Sequence, residues 1–164
     1  EYRGVDVYFS PKSTQGRRAA NIFVRNLKSI YPVPSDVRAI STTSIGEVDK
    51  TRAPAVFLEL GYHDNRNDAT WVASNIQQIA RNLVLSLTEY FGIPLVEPII
   101  PQRARVSLAS GTLNLRARPD RSARVIASIA NGEYLTVVGQ WQGWYVVNYR
   151  GLVGYVVAQF VKIQ

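Results

Sequence analysis

The sequence predicts two folds in series, an α/β segment followed by a small all-β barrel, and three observations carry that prediction. Apolar residues recur at steps of three and four over Thr14 to Ile30 and again over Ala69 to Phe91, the spacing of amphipathic helices. Between the two helices, Ala55 to Leu58 is apolar without polar alternation, which reads as a strand buried on both faces. After about residue 104 the pattern changes to six short β-rich runs separated by turn signals, the texture of a small barrel.

In chain order, Val5 to Phe9 (Val-Asp-Val-Tyr-Phe) is a short strand ended by Ser10-Pro11-Lys12-Ser13. The first helix follows with Ser13 as its N-cap. Tyr31-Pro32-Val33-Pro34 stops it, because proline disfavours helical geometry in the residue before it. Val37 to Ile40 is a short edge strand, and Ser44 to Lys50 holds one helical turn. The central strand ends at Glu59, and Gly61 followed by Asp64, Asn65, Asn67 and Asp68 makes a loop. The second helix runs from about Ala69 to Phe91 with Asp68 or Asn67 as N-cap, a buried face of Val72, Ile76, Ile79, Ala80, Leu83, Leu87 and Tyr90, and a stop at Gly92 and Pro94. The expected fold of residues 1–94 is therefore α/β, a partial, mostly parallel sheet with flanking helices. Three strands bury little surface, so this segment is expected to be the second half of a larger sheet. Residues 95–103 hold two prolines and no periodicity and read as a stiff linker. Residues 104–164 form the barrel, with strands at Ala104–Ala109, Leu113–Arg116, Val125–Ile129, Tyr134–Gln140, Trp144–Tyr149 and Gly154–Val157.

Charge divides the same way. Up to Glu97 the chain has 11 Lys+Arg against 10 Asp+Glu, and beyond it 8 against 2, so most of the net +7 lies in the last third. A basic module of this kind meets an anionic polymer. No Lys/Arg-rich helix or nucleic-acid motif is present, which argues against nucleic acid as the partner. The sequence has no cysteine, which excludes disulfides and Cys-ligated zinc. No apolar run approaches the ~20 residues of a membrane span. A chain that begins at Glu1 and has no methionine is expected to be preceded by residues that were cut away.

Glu59 is the candidate catalytic residue. It is an acid at the carboxyl end of an apolar strand, followed at once by turn residues, and open sheets of this type bind ligands outside their strand ends. The plainer alternative is that Glu59 pairs with a buried Arg or caps an amide.

The last module resembles a bacterial SH3-like (SH3b) domain. The likeness lies in Leu113-Asn114-Leu115-Arg116-Ala117-Arg118-Pro119, Val125-Ile126-Ala127 leading to Asn131-Gly132, Gly143-Trp144-Tyr145-Val146-Val147, and Gly154-Tyr155-Val156 closing through Phe160. The first module resembles the C-terminal half of the zinc-dependent N-acetylmuramoyl-L-alanine amidases, through Val5 to Phe9 before a helix, Arg52-Ala53-Pro54-Ala55-Val56, Glu59-Leu60-Gly61-Tyr62 with Asn65, and the long terminal helix.

The resemblance implies a secreted, wall-located peptidoglycan hydrolase of the autolysin kind, cleaving the amide between the lactyl group of N-acetylmuramic acid and L-alanine, with Glu59 at a catalytic glutamate position. It implies zinc in the complete enzyme, held by two histidines and a glutamate of the earlier half. The one histidine here, His63, falls in the loop after Glu59 and at no ligand position, and a hydrolytic zinc needs three protein ligands. No catalytic metal is expected on this chain, and the chain alone is expected to be inactive. The alternative is a non-catalytic wall-binding or scaffold fragment. His63 either touches substrate or is a loop histidine beside Asp64; Asn65 either contacts substrate or fixes the turn. In the barrel, Trp141, Trp144, Tyr145 and Tyr155 are candidates to stack on wall sugar or peptide, and Arg116 and Arg118, with Arg105, Arg121 and Arg124, to meet anionic wall polymers. The expected partners are peptidoglycan, those polymers and the missing half of the sheet.

Overall fold

The computed structural model describes residues 2–164. The chain divides into two units, residues 1–92 and Ile93–Gln164. Each is described by itself.

In unit 1, β1 (Val5–Phe9), α1 (Thr14–Lys28), β2 (Val37–Ser41), α2 (Gly46–Asp49), β3 (Val56–Glu59), α3 (Arg66–Ser74) and α4 (Ile76–Phe91) follow in order. The sheet has the order β2-β1-β3. β1 runs parallel to β2, in the register Val5↔Val37, and antiparallel to β3, in the register Asp6↔Glu59. The sheet is thus mixed rather than mostly parallel. Alternation along β1 sends Val5, Val7 and Phe9 to one face, where Ala20, Phe23 and Leu27 of α1 complete a dry core with Val37, Tyr31 and Trp71. Asp6 and Tyr8 point to the other face with Arg38, Phe57 and Glu59.

α1 starts where its sequence predicts, with the Ser13 hydroxyl accepting the Gly16 N–H at 2.9 Å. Two expectations change. β3 is an edge strand of the described sheet, and Phe57 at its middle is 39% exposed, so the strand is not buried on both faces. The single second helix is two, because Asn75 (φ −127°) breaks it between α3 and α4.

The buried side of α4 also differs from the predicted one. Ile79 is buried, but Ile76 and Leu87 are exposed, while Asn82 and Ser86 are buried. The cause is a polar contact with α1: Asn82 Nδ2 donates to the Asn26 carbonyl at 2.9 Å, and Asn26 Nδ2 donates to Ser86 Oγ at 3.1 Å. Helical spacing identified an apolar stripe but not its partner.

In unit 2, seven antiparallel strands lie in the order β10-β4-β7-β8-β9-β5-β6, namely β4 (Gln102–Val106), β5 (Thr112–Arg116), β6 (Val125–Ala130), β7 (Tyr134–Trp141), β8 (Trp144–Tyr149), β9 (Leu152–Val157) and β10 (Val161–Ile163). All seven send residues into one core, among them Val106, Leu115, Ile129, Val137, Val147, Val156 and Val161. A sheet whose two end strands share a core must curl, and register shifts at Leu115/Arg116 and Val137/Gly139 supply the bends. The expected linker is not free of the barrel. β4 begins inside it, the Ile99 N–H donates to the Val138 carbonyl at 3.1 Å, and Val96 lies against Gly139, where a Cβ would come within 2.7 Å of Val96 Cγ1.

Candidate active site

The side of the unit 1 sheet away from α1 carries a connected set of polar groups around Glu59. Register places Glu59 opposite Asp6, and Asp6 opposite Arg38 on the far strand, so three charged residues line one row across the sheet. Arg38 grips Asp6 with two parallel bonds, Nε to Oδ1 at 2.7 Å and Nη2 to Oδ2 at 3.1 Å. This fork geometry accounts for a 3% exposed Asp6 carboxylate, and the bond to Asp6 in turn raises the Arg38 pKa.

Two phenols meet the Glu59 carboxylate at the same oxygen. The Tyr8 hydroxyl lies 3.2 Å from Oε2, and the Tyr62 hydroxyl lies 3.1 Å from it. Tyr62 is also 2.8 Å from Asp6 Oδ2. A phenol has one proton to give and lone pairs to receive, so Tyr62 donates to one carboxylate at a time and can accept from a protonated Glu59. Burial, then the bond to Asp6 and its charge, push the Tyr62 pKa well above the usual phenol value; burial and the charges of Asp6 and Glu59 raise that of Tyr8. Both stay protonated as donors through neutral pH. Among the described residues Oε1 of Glu59 has no partner, and the side chain is half-buried.

A second carboxylate holds this arrangement in place. Gly61 adopts φ +114°, open in practice only to glycine, and the turn presents the Tyr62 N–H to Asp68 Oδ2 at 3.1 Å. Asp68 is 1% exposed and also accepts the Gly4 N–H at 2.8 Å and the Tyr31 hydroxyl. One carboxylate thus ties the segment entering β1, the end of α1 and the loop after β3. The Tyr31 pKa is pushed up to about 12 by burial and by Asp68.

Of the residues singled out from sequence, Glu59 lies at the centre of this site. Asn65 does not face it. It is buried and caps α3, its Oδ1 accepting from Asn67 and Asp68 N–H at 3.1 and 3.3 Å, which leaves the turn-fixing alternative; the helix N-cap is Asn65 rather than Asn67 or Asp68. His63 is exposed, has no hydrogen-bond partner among the described residues, and borders a shallow apolar hollow of about 390 Å³ with Gly61, Tyr62 and Val72. Sequence reading missed Asp6, Tyr8, Arg38 and Tyr62. The available signal was the alternation in Val5-Asp6-Val7-Tyr8, which puts an acid and a phenol on the face opposite the core valines.

Among the described residues no group of three His, Cys, Asp or Glu side chains is placed to hold a metal ion. The donors present do not fit a hydrolytic zinc.

In unit 2, Tyr155 is 7% exposed and its pKa is raised by burial, so it is withdrawn from the candidate wall-contacting aromatics. Trp141 and Trp144 are half-buried and face each other across the β7–β8 hairpin, and Tyr145 packs against the core. Arg116 is held internally, Nη1 donating to the Ala123 carbonyl at 2.8 Å, whereas Arg118 is exposed.

The two units define a class: an α/β element with a carboxylate held at a strand end, joined to a small basic β-barrel. Residues 1–89 match the N-acetylmuramoyl-L-alanine amidase family and residues 111–162 match the bacterial SH3 domain. The chain belongs to the N-acetylmuramoyl-L-alanine amidase family and carries a bacterial SH3 domain after the amidase region. No curated protein matches it. Among solved structures it is similar to NlpC2 from Trichomonas vaginalis (21% identity, TM-score 0.35, 40% of this chain and 24% of that one) and NlpC1 from Trichomonas vaginalis (19%, 0.35, 40% and 23%). The chain covers about a quarter of the length of these structures.

Proposed function

We propose that this chain is part of a secreted peptidoglycan hydrolase that cleaves the amide between the lactyl group of N-acetylmuramic acid and L-alanine, with unit 2 as its wall-binding module. The observation that carries the reading is Glu59, held at the end of β3 by two phenol hydroxyls with Oε1 left open, in a chain whose first 89 residues match the amidase family. Amide hydrolysis needs a group that takes a proton as water adds to the carbonyl and returns one to the departing amine. Oε1 accepts the first proton. The leaving α-amino nitrogen of L-alanine receives it as the carbon–nitrogen bond breaks. Tyr8 holds Oε2 through both steps, while Tyr62, with one proton to give, is shared between Oε2 and the Asp6 carboxylate that Arg38 holds in place. No step is routed through a metal, since the residues present do not fit one.

Unit 1 is completed, in this reading, by further strands. α4 carries Ile76, Val84, Leu87 and Phe91 on one exposed stripe, 62%, 47%, 45% and 54% accessible, a contiguous apolar face of the kind that marks an interface. α4 packs beside α1 and α3, and β3 has an open edge. Strands added at that edge would extend the sheet, and the stripe offers an apolar surface for the elements that come with them. Without them the chain is expected to be inactive.

Co-sedimentation with purified bacterial wall tests the wall-binding part. The 164-residue chain is expected in the pellet at about 0.1 M salt, and its absence from the pellet at every salt concentration would refute a wall-binding role.

A further inference from the structure

We propose that the outer face of the β10-β4-β7 sheet in unit 2 is a binding ridge for a flexible phosphodiester polymer of polyol type. The proposal rests on the wall-binding reading of this unit and names the surface and the ligand chemistry.

The ridge is made by register. On β4, alternation buries Ala104 and Val106 and turns Arg103 and Arg105 outward. Lys162 of β10 stands directly opposite Arg105 in the antiparallel ladder. Directly opposed cross-strand side chains have Cβ atoms about 5 Å apart, and like charges there repel. Arg103 lies two residues further along the same face, about 7 Å away. None of the three has a carboxylate partner among the described residues. Glu133, which precedes β7, is engaged by Arg150 at 3.1 Å and by the Tyr149 hydroxyl at 3.4 Å. A cross-strand pair of like charges with no counter-charge costs stability, and an anion bound across it removes that cost.

Two details orient the cations. Arg105 Nε donates to the Gly132 carbonyl at 3.0 Å, which fixes the guanidinium over the turn at Gly132. The Arg103 guanidinium lies 4.0 Å from the centre of the Tyr134 ring, which braces it against the sheet. Beside Arg105 and Lys162 is an open basin of about 440 Å³, also lined by Ser107 and Gln164, whose side chains have no partner among the described residues and offer donors to phosphate oxygens.

The three cations form a corner, with Lys162 about 5 Å from Arg105 across the strands and Arg103 about 7 Å from it along β4. Its other outward residues are Tyr134 and Thr136, and the aliphatic Ile163, 40% exposed, borders the basin. Arg103 stacks on the Tyr134 ring, which stays 44% exposed. Charge complementarity, together with the wall-binding reading of this unit, favours a phosphodiester polymer of the wall, and the test separates it from a lipid surface and a nucleic acid. Arg116 plays no part, since its guanidinium is held by the Ala123 carbonyl.

The test uses the whole chain, with purified glycerol-phosphate teichoic acid as the probe and two triple variants of equal charge change. Arg103→Gln/Arg105→Gln/Lys162→Gln is expected to weaken binding at least about tenfold and to flatten the slope of log K against log salt by about 2, at ~0.7 per contact on a flexible polyanion. Arg118→Gln/Arg121→Gln/Arg124→Gln is expected to stay within about threefold of the parent at about 0.15 M salt, where charges off the ridge are screened beyond ~8 Å. Circular dichroism confirms that both variants are folded. Equal losses in the two variants, or no loss in the first, overturn the proposal. So does tighter binding to anionic vesicles or to single-stranded DNA than to the teichoic acid. Wall stripped of phosphodiester polymers is sedimented in parallel. A chain that pellets with stripped wall but does not bind the polymer leaves wall binding standing and removes the ridge; a chain that does neither removes both.

Discussion

Removing the Asp68 carboxylate should unfasten the loop that carries Tyr62, and the cost can be worked from its partners. The carboxylate is 1% exposed and accepts from the Gly4 and Tyr62 N–H groups and the Tyr31 hydroxyl. Asp68→Ala leaves three donors without a partner in a dry site. At about 1–3 kcal/mol for each buried unsatisfied group, and with some relief from entering water, the expected loss is about 3–5 kcal/mol. Its position in the first turn of α3 adds about 0.5 kcal/mol from the helix dipole. Asp68→Asn keeps one oxygen for the two N–H groups, and its amide can donate to the Tyr31 oxygen, so the loss should be about 1–2 kcal/mol. Urea denaturation followed through NMR signals of Val5, Val7 and Val37 reports on unit 1 apart from unit 2. A loss below about 1 kcal/mol for Asp68→Ala would show that the three donors find other partners and would refute the reasoning.

Two further predictions concern stability. Tyr31 has a folded pKa of about 12 against an ordinary value of 10.0; a phenol whose folded pKa is raised stabilises fully below the unfolded value and loses that contribution as pH climbs towards the folded one. Tyr31 should therefore account for roughly 2–3 kcal/mol of the stability unit 1 loses between about pH 10 and 12, and Tyr31→Phe should make the loss shallower by that share while those of Tyr62 and Tyr8 remain, with alkaline denaturation series on the two proteins as the check. Gly139→Ala would set a Cβ 2.7 Å from Val96 Cγ1 and should destabilise unit 2 by about 1–3 kcal/mol; in thermal unfolding, Val96→Ala in the same chain should recover most of that loss, whereas a cost unchanged by Val96→Ala would place the strain elsewhere.

What could be read from sequence was local. Ser13 before an apolar stripe fixed the start of α1, and Gln142-Gly143 between β7 and β8 marked a hairpin whose positive φ values, 40° and 82°, suit it. Non-local facts were hidden. Ile76, Leu87 and Ile79 share one helical pattern, yet only Ile79 is buried, because Asn26 draws Asn82 and Ser86 inward instead. β10 escaped notice because three residues show no period. Glu59 stood out as an acid ending an apolar strand, but its companions Tyr8, Asp6 and Arg38 come from two other strands, and only the register of β1 with β2 and β3 brings them together. Tyr62 was visible in the turn, yet nothing local indicated that its hydroxyl reaches Asp6.

Turnover of the Glu59→Gln variant, read as release of L-alanine amino termini from purified wall, tests the central claim most directly in a protein that carries the further strands proposed for unit 1. Glutamine keeps the shape and the contacts with Tyr8 and Tyr62 but cannot carry a proton. The account predicts a fall of about 10²- to 10⁴-fold, with folding unchanged. Wild-type turnover from Glu59→Gln would contradict it and leave Glu59 as a partner for two tyrosines.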